Sequence, residues 1–188
     1  MSYFAPQIPL MEKLYGSPEE LSYTQTVTPQ EYDRISGSMK HGRAHDITLY
    51  IKKDGGYIFT AKHLYPPGLF RAPSGGVRPG ENFEDGAKRE ALEETGTDIS
   101  LLKYILRIKV RFVNESKTID WTSHIFSAEY IKGEIEPHDK REIREARLIY
   151  PDEIPGFIEK MRETRIGGLN YRAFLTGVVK KRLDSSSD

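Results

Sequence analysis

Cysteine is absent from the 188-residue chain. Its absence excludes disulfides, thiolate metal sites and a cysteine nucleophile, and it fits a reducing compartment, so the cytoplasm is the expected location. An excess of either charge is missing too, with 28 basic residues against 28 acidic ones. That balance argues against a whole-surface attraction to nucleic acid; no DNA partner is expected, and any such contact would be local. Long apolar runs are lacking. The opening stretch MSYFAPQIPLMEKLYG has no basic n-region and only short apolar runs broken by prolines, so neither a secretory signal nor a membrane span is expected. No G-x-x-x-x-G-K-[ST] loop, G-x-G-x-x-G turn or G-x-S-x-G elbow occurs, which removes several other nucleotide and acyl chemistries. What remains, 37% apolar and 30% charged, is the composition of one ordinary globular domain with a sizeable core.

Two N-cap signals stand in the first forty residues, Ser17-Pro18-Glu19-Glu20 and Thr28-Pro29-Gln30-Glu31. Each offers a hydroxyl cap, proline at the first helical position and glutamate three after the cap, and each predicts a short helix. Residues 1–44 otherwise lack a strong period and are expected to form an extension packed on the main domain, suited also to a homodimer contact. From Asp46, Ile47, Leu49 and Ile51 alternate with polar or amphipathic neighbours, and Asp54-Gly55-Gly56 leads into YIFTAKH, the pattern of a β-hairpin. A second strand pair is predicted from YILRIKVRF and TIDWTSHIFSAEY. There Tyr104, Leu106, Ile108, Val110 and Phe112 share one face, and Arg107, Lys109 and Arg111 the other, a solvated sheet face or an anion site. Two helices are expected at the C-terminal end, one around 157–165 stopping at Gly167-Gly168 and one with Tyr171, Phe174, Leu175, Val178 and Val179 on a stripe. The tail 185–188 is expected to be disordered.

Between these strands lies SGGVRPGENFEDGAKREALEETGTD, residues 74–98, which crowds acidic residues behind three glycines. Residues 83–95 fit a helix, with Asn82 able to cap it and Gly96 suited to the left-handed position after its end. On that helix Glu90, Glu93 and Glu94 share one face within about one turn, while Ala87, Ala91 and Thr95 form a small stripe for close packing on a sheet. A tight carboxylate cluster without a countercharge is unfavourable, and Arg89 answers only part of it. An all-oxygen site of this kind suits Mg²⁺ or Mn²⁺, hard ions that keep waters and also bind phosphate oxygens. The alternative is a solvated acidic helix face. Gly75, Gly76 and Gly80 favour the ligand site, because a backbone without side chains turns sharply and approaches a ligand closely.

The segment reads G-x5-E-x7-R-E-x-x-E-E-x-G, with Gly75, Glu81, Arg89, Glu90, Glu93, Glu94 and Gly96 at the specified positions. It resembles the signature of the Nudix hydrolase family, G-x5-E-x7-R-E-U-x-E-E-x-G-U, where U is a bulky aliphatic residue. Ala91 and Thr97 stand at the two U positions, departures that concern local packing more than metal binding. The resemblance implies an α+β fold, the Nudix-type α/β/α sandwich with a mixed sheet, for a domain of residues 45–184. It also implies divalent-cation-dependent hydrolysis of a pyrophosphate bond in a nucleoside diphosphate linked to another moiety, hence a nucleotide-type small-molecule partner.

By the same resemblance Glu90, Glu93 and Glu94 are the expected metal ligands, Glu81 is auxiliary, and Arg89 orients a ligand glutamate. The general base is Glu93 or Glu142, with Glu145 and Asp139 as competitors. Gly75, Gly76, Arg71 and Arg111 are the candidates for substrate contact. Trp121, Tyr65 and Phe70 are candidates for stacking on a base, or core aromatics. His41 and His45, at H-x3-H spacing, make a weak zinc pattern, and His124 is expected in the sheet. The alternatives to an enzyme of small nucleotides are a nucleotide-sensing module without catalysis and an RNA 5′-end pyrophosphohydrolase using the basic face of residues 107–111.

Overall fold

The computed structural model describes residues 3–185. After a 3-10 turn at Ala5–Gln7 come α1 (Ile8–Tyr15), β1 (Glu19–Thr26), α2 (Pro29–Ser38), β2 (His45–Lys53), β3 (Gly56–Lys62), β4 (Ser74–Gly75) and α3 (Phe83–Thr95). The chain continues through β5 (Asp98–Asn114), β6 (Lys117–Lys132), β7 (Ile143–Ile149), α4 (Ile154–Glu163) and α5 (Gly167–Ser185). The strands form one mixed sheet in the order β1-β5-β6-β2-β3-β7, and the short β4 pairs with the start of β2. β1 runs parallel to β5 and β2 parallel to β6, while the other neighbours are antiparallel. Two buried clusters lie on opposite faces: α1 and α3 cover one around Met11, Phe83, Ala87 and Ala91, and α4 and α5 cover the other around Phe157, Met161, Leu175 and Val179. The architecture is the α/β/α sandwich that the sequence implies. Among the described residues no helix is long and apolar enough to cross a membrane.

Both strand pairs form where the alternation places them, with two differences. β2 is buried on both faces from His45 to Ile51, because helices cover the sheet on either side; its partners of alternation, Asp46, Thr48 and Tyr50, are core residues rather than solvent-facing ones. In β5 the register against β6 shifts between Tyr104 and Leu106. Each such irregularity turns the following side chains to the other face, so Tyr104 joins the α1–α3 core while Leu106, Ile108, Val110 and Phe112 join the α4–α5 core.

The two N-cap signals part company. Thr28 and Glu31 form the full capping box of α2, with the Thr28 N–H donating to Glu31 Oε2 at 2.9 Å and the Glu31 N–H to Thr28 Oγ1 at 3.3 Å. The helix predicted after Ser17 is instead the strand β1. Tertiary partners outweigh the local cap there: Leu21 and Tyr23 pack on the core, Tyr23 stacks on Phe174 at 4.0 Å between ring centroids, and Glu20 pairs with Arg107 and Lys109. The stretch expected as a packed extension thus supplies an edge strand as well as helices. Gly167-Gly168 opens α5 instead of closing α4, and the expected disordered tail lies, beyond Ser185, outside the described residues.

At the start of β2 two imidazoles are sealed into the core. His45 stacks on Phe4 at 4.0 Å and has no hydrogen-bond partner on either ring nitrogen, while His124 meets the Tyr104 hydroxyl. Burial holds the pKa of His45 down at about 4 and that of His124 at about 3. Both are therefore neutral when folded, whereas the unfolded chain takes up their protons below its ordinary histidine pKa of about 6.5. Stability falls as pH drops from there toward 4, by as much as about 2.7 kcal/mol per pH unit for two such groups. Urea unfolding at pH 7 and pH 5 should show a clear loss of midpoint at the lower pH, and His45→Leu should make that loss smaller. An unchanged pH dependence in that variant removes His45 from the account.

Candidate active site

Helix α3 carries the acidic cluster. Asn82 caps it, its side-chain oxygen accepting from the Asp85 N–H at 2.8 Å, and Gly96 ends it at φ 74°. Ala87, Ala91 and Thr95 are fully buried against the sheet, and Thr97 is buried with its hydroxyl 2.7 Å from that of Thr95. The small residues at the two departures from the signature are thus close-packed. The adjoining face of the helix turns Glu90 and Glu94 toward a cavity of about 830 Å³, bounded by α2, the start of β2, the 62–76 segment, the 139–142 loop and the beginning of α5.

Glu94 is almost wholly buried, with 4% of its surface exposed. Its Oε2 accepts from the Ser74 N–H at 3.0 Å and lies 3.5 Å from the Thr60 hydroxyl, while Lys62 and Arg71 stand 3.7 and 3.8 Å from Oε1. The Glu90 carboxyl occupies the space in front of Gly75, where a Cβ would meet its Cδ at 1.8 Å. Burial, followed by the opposing effect of Arg89 and the charges of Glu94 and Glu93, leaves the Glu90 pKa above the usual carboxylate value. Gly76 is used in the same way: a Cβ there would stand 2.1 Å from Arg43 Nη1. The sequence pattern assigns these glycines to close approach of a ligand; in the structure the space they leave is filled by the chain's own carboxylate and guanidinium.

Arg89 organises the rest. Its Nε and Nη2 donate to the two oxygens of Glu81 at 2.8 and 3.0 Å, Nη1 donates to Glu90 at 2.8 Å and Glu93 at 3.0 Å, and Nη2 also donates to the Gly76 carbonyl at 2.8 Å. All five guanidinium N–H groups are taken. Burial raises Glu81, but the Arg89 hydrogen bonds and the Arg78 N–H outweigh it and hold its pKa low; the same carboxylates raise that of Arg89. Glu81 and Glu93 are consequently turned to Arg89 and Arg78, away from the cavity edge formed by Glu90 and Glu94. Among the described residues no three Asp, Glu or His side chains form a ready cage for a metal. Of the four glutamates expected from the signature, Glu90 and Glu94 line the cavity while Glu81, Glu90 and Glu93 are held by the arginine, so Glu90 belongs to both sets.

The 138–142 loop docks on the end of α3 through backbone bonds from the His138 and Asp139 N–H groups to the Glu93 carbonyl, at 3.0 and 2.8 Å. That docking brings Asp139 and Glu142 to the cavity, where Glu142 pairs with Lys62. Glu145 is exposed on β7 and does not line the cavity. Arg71 does line it, yet its guanidinium is buried and bonded to the Tyr65 hydroxyl, the Ala72 carbonyl and Ser74 Oγ. Arg111 pairs with Asp120 and opens on a different depression, and Arg107 and Lys109 pair with Glu12 and Glu20. The structure does not bring Arg111 to the carboxylates.

Trp121 and Tyr65 line the cavity, whereas Phe70 is core. His41 and His45 do not converge, since His45 is stacked beneath Phe4. Sequence reasoning missed Arg43, Lys62 and the pair of buried Asp46 with half-buried Arg172, at 2.6 Å, all of which line the cavity from elements far apart in the chain.

A helix of glutamates keyed by one arginine, on a mixed α/β/α sandwich beside a nucleotide-sized cavity, defines the class. A family model described as the NUDIX domain matches residues 40–167, and the chain belongs to that family of hydrolases. It is 32% identical over 117 residues to the oxidized purine nucleoside triphosphate hydrolase of Mus musculus, covering 62% of this chain and 72% of that one. It is 31% identical over 137 residues to the NAD-capped RNA hydrolase NudC of Stutzerimonas stutzeri, covering 73% of this chain but only 44% of that protein. A solved NUDIX hydrolase from Nitrosomonas europaea has 20% identity and a TM-score of 0.49, covering 72% of this chain and 90% of that one.

Replacing Arg89 by Met removes the one group among the described residues that pairs with Glu81, Glu90 and Glu93 together. We expect a loss of about 2 kcal/mol or more in urea unfolding at pH 7, and a gap to the wild type that narrows toward pH 5 as the carboxylates take up protons. A gap independent of pH assigns the loss to packing alone.

Proposed function

We propose that the protein hydrolyses a pyrophosphate bond in a nucleoside diphosphate joined to another moiety, with Mg²⁺ or Mn²⁺ held at Glu90 and Glu94. The observation that carries this reading is the pairing of these two half-buried or buried carboxylates on one edge of a cavity whose other walls are rich in cationic side chains. The fit is chemical. Two carboxylates suit a hard cation that keeps several waters and takes its remaining ligands from phosphate. When bound, the cation supplies neutralisation of the phosphate oxygens and activation of the attacking water.

In this proposal Arg89 fixes the Glu90 carboxylate, and the Ser74 N–H fixes Glu94. Glu81 and Glu93 position Arg89. Glu142 is favoured over Glu93 as proton acceptor, because it faces the cavity while Glu93 faces Arg78 and Arg89. Trp121 and the apolar residues beside it, Ile35, Phe112 and Leu169, offer a wall for a planar group. The internal pairing of Arg107, Lys109 and Arg111 removes the support that a free basic face would give to an RNA-end substrate. The cysteine-free composition fits work in the cytoplasm.

The test is a panel of nucleoside triphosphates including oxidised purines, ADP-ribose, nucleotide sugars, dinucleoside polyphosphates, NAD and NAD-capped RNA, incubated with and without Mg²⁺. At least one should be cleaved, and only with the cation. Glu94→Gln should reduce that rate by about 10²-fold or more. Binding without cleavage of any compound turns the reading to a nucleotide sensor.

A further inference from the structure

Six arginine and lysine side chains line the cavity, Arg34, Arg43, Lys62, Arg71, Arg141 and Arg172. Four are engaged by the protein itself: Lys62 with Glu142, Arg71 with Tyr65 and Ser74, Arg141 beside Asp139 at 3.6 Å, and Arg172 with Asp46 and Thr48. Arg34 is exposed on α2 at the rim. Arg43 is different, being half-buried, inside the cavity, and without an acidic partner among the described residues.

Its position is nonetheless fixed. Nε donates to the Ser38 carbonyl at 3.2 Å, and the guanidinium carbon lies 5.9 Å from the centroid of the Trp121 ring. Nη1 occupies the space in front of Gly76, and neither terminal NH₂ has a hydrogen bond among the described residues. Leaving a half-buried guanidinium without an anion is unfavourable in a chain that has as many acids as bases and pairs most of its interior cations. The arrangement suits an anion supplied from outside.

The adjacent glycines give that anion a place. Gly75 seats the Glu90 carboxylate and Gly76 seats the Arg43 guanidinium, so opposite charges flank two residues whose Cα atoms are about 3.8 Å apart. We propose that Arg43 is a substrate-binding residue that grips a phosphate of the nucleoside diphosphate through its forked terminal N–H groups. The neighbouring phosphate lies toward Glu90 and Glu94. This rests on the proposed hydrolysis for its substrate, but the contact itself needs no metal. Planar two-point donation to phosphate oxygens is a property of guanidinium that an ammonium lacks.

Two variants test it. Arg43→Gln removes the donor fork, and Gly76→Ala leaves Arg43 in the chain but displaces it, since the new Cβ would stand 2.1 Å from Nη1 and 2.6 Å from Cδ. With the panel's best substrate, both should raise KM by about tenfold to a hundredfold while kcat changes little. Calorimetric titration of ADP in the presence of EDTA should weaken by a similar factor in both, with thermal melting confirming that each variant is folded. Wild-type KM in Arg43→Gln overturns the contact and leaves the hydrolase reading standing, as does a fall in kcat with KM unchanged. No hydrolysis of the panel, with ADP binding still weakened in Arg43→Gln, removes the hydrolase reading and keeps the phosphate contact. Failure of the wild type to bind ADP overturns the contact.

Discussion

A single guanidinium decides how the acidic helix is organised. Glu90, Glu93 and Glu94 fall close together because the helical repeat puts them there, Glu81 joins them from the loop before the helix, and four such charges repel. Arg89 resolves the conflict by geometry as well as by charge. Its fork takes both oxygens of Glu81, one oxygen each of Glu90 and Glu93, and the carbonyl of Gly76, so the helix, the preceding loop and the glycine turn are tied at one point. At the cavity edge Glu94 is buried beside Lys62 and Arg71, and Glu90, held by Arg89, is pressed against Gly75. The site thus carries Glu90 and Glu94 at one edge, and around its other walls six arginine and lysine side chains, three of them beside wall carboxylates.

The second constraint is the glycine pair. In many anion sites, glycines let the backbone itself come near a ligand. Here the vacated volume is taken by side chains from α3 and from Arg43, two residues before β2. The two side chains arrive from segments almost fifty residues apart in sequence, and the sheet brings them together by pairing β4 with the start of β2, Gly75 opposite Ile47.

Much of this was legible in the sequence. The 3.6-residue repeat placed Glu90, Glu93 and Glu94 together, and the alternation in β2, β3, β5 and β6 placed the strands, because these signals are local and periodic. The signature also pointed to Arg89 as a positioning residue. Side-chain direction was not legible. Nothing in the spacing separates Glu90 and Glu94, which line the cavity, from Glu81 and Glu93, which do not, since that division depends on where each side chain turns. Arg111 and Arg71 looked alike as candidate phosphate contacts, yet one is on the far side of β5 and the other is buried in hydrogen bonds. Arg43 carried no motif at all. The strand at Glu19–Thr26 was hidden because its N-cap pattern is a real local preference that long-range pairing overrides. The face switch at Tyr104 was hidden because a bulge leaves no mark on alternation.

β1 lies outside the matched family segment and is joined to β5 along eight residues, Leu106 to Val113. It also occupies what would otherwise be a bare ribbon of backbone donors and acceptors at the rim of the sheet. A protein trimmed to residues 40–167 would keep every glutamate of the acidic helix but present that ribbon to solvent, an invitation to strand-by-strand stacking of one molecule on the next. β1 is itself the outermost strand, but its edge is short and opens with the charged Glu19 and Glu20, so the first thirty residues exchange a long bare rim for a short charged one.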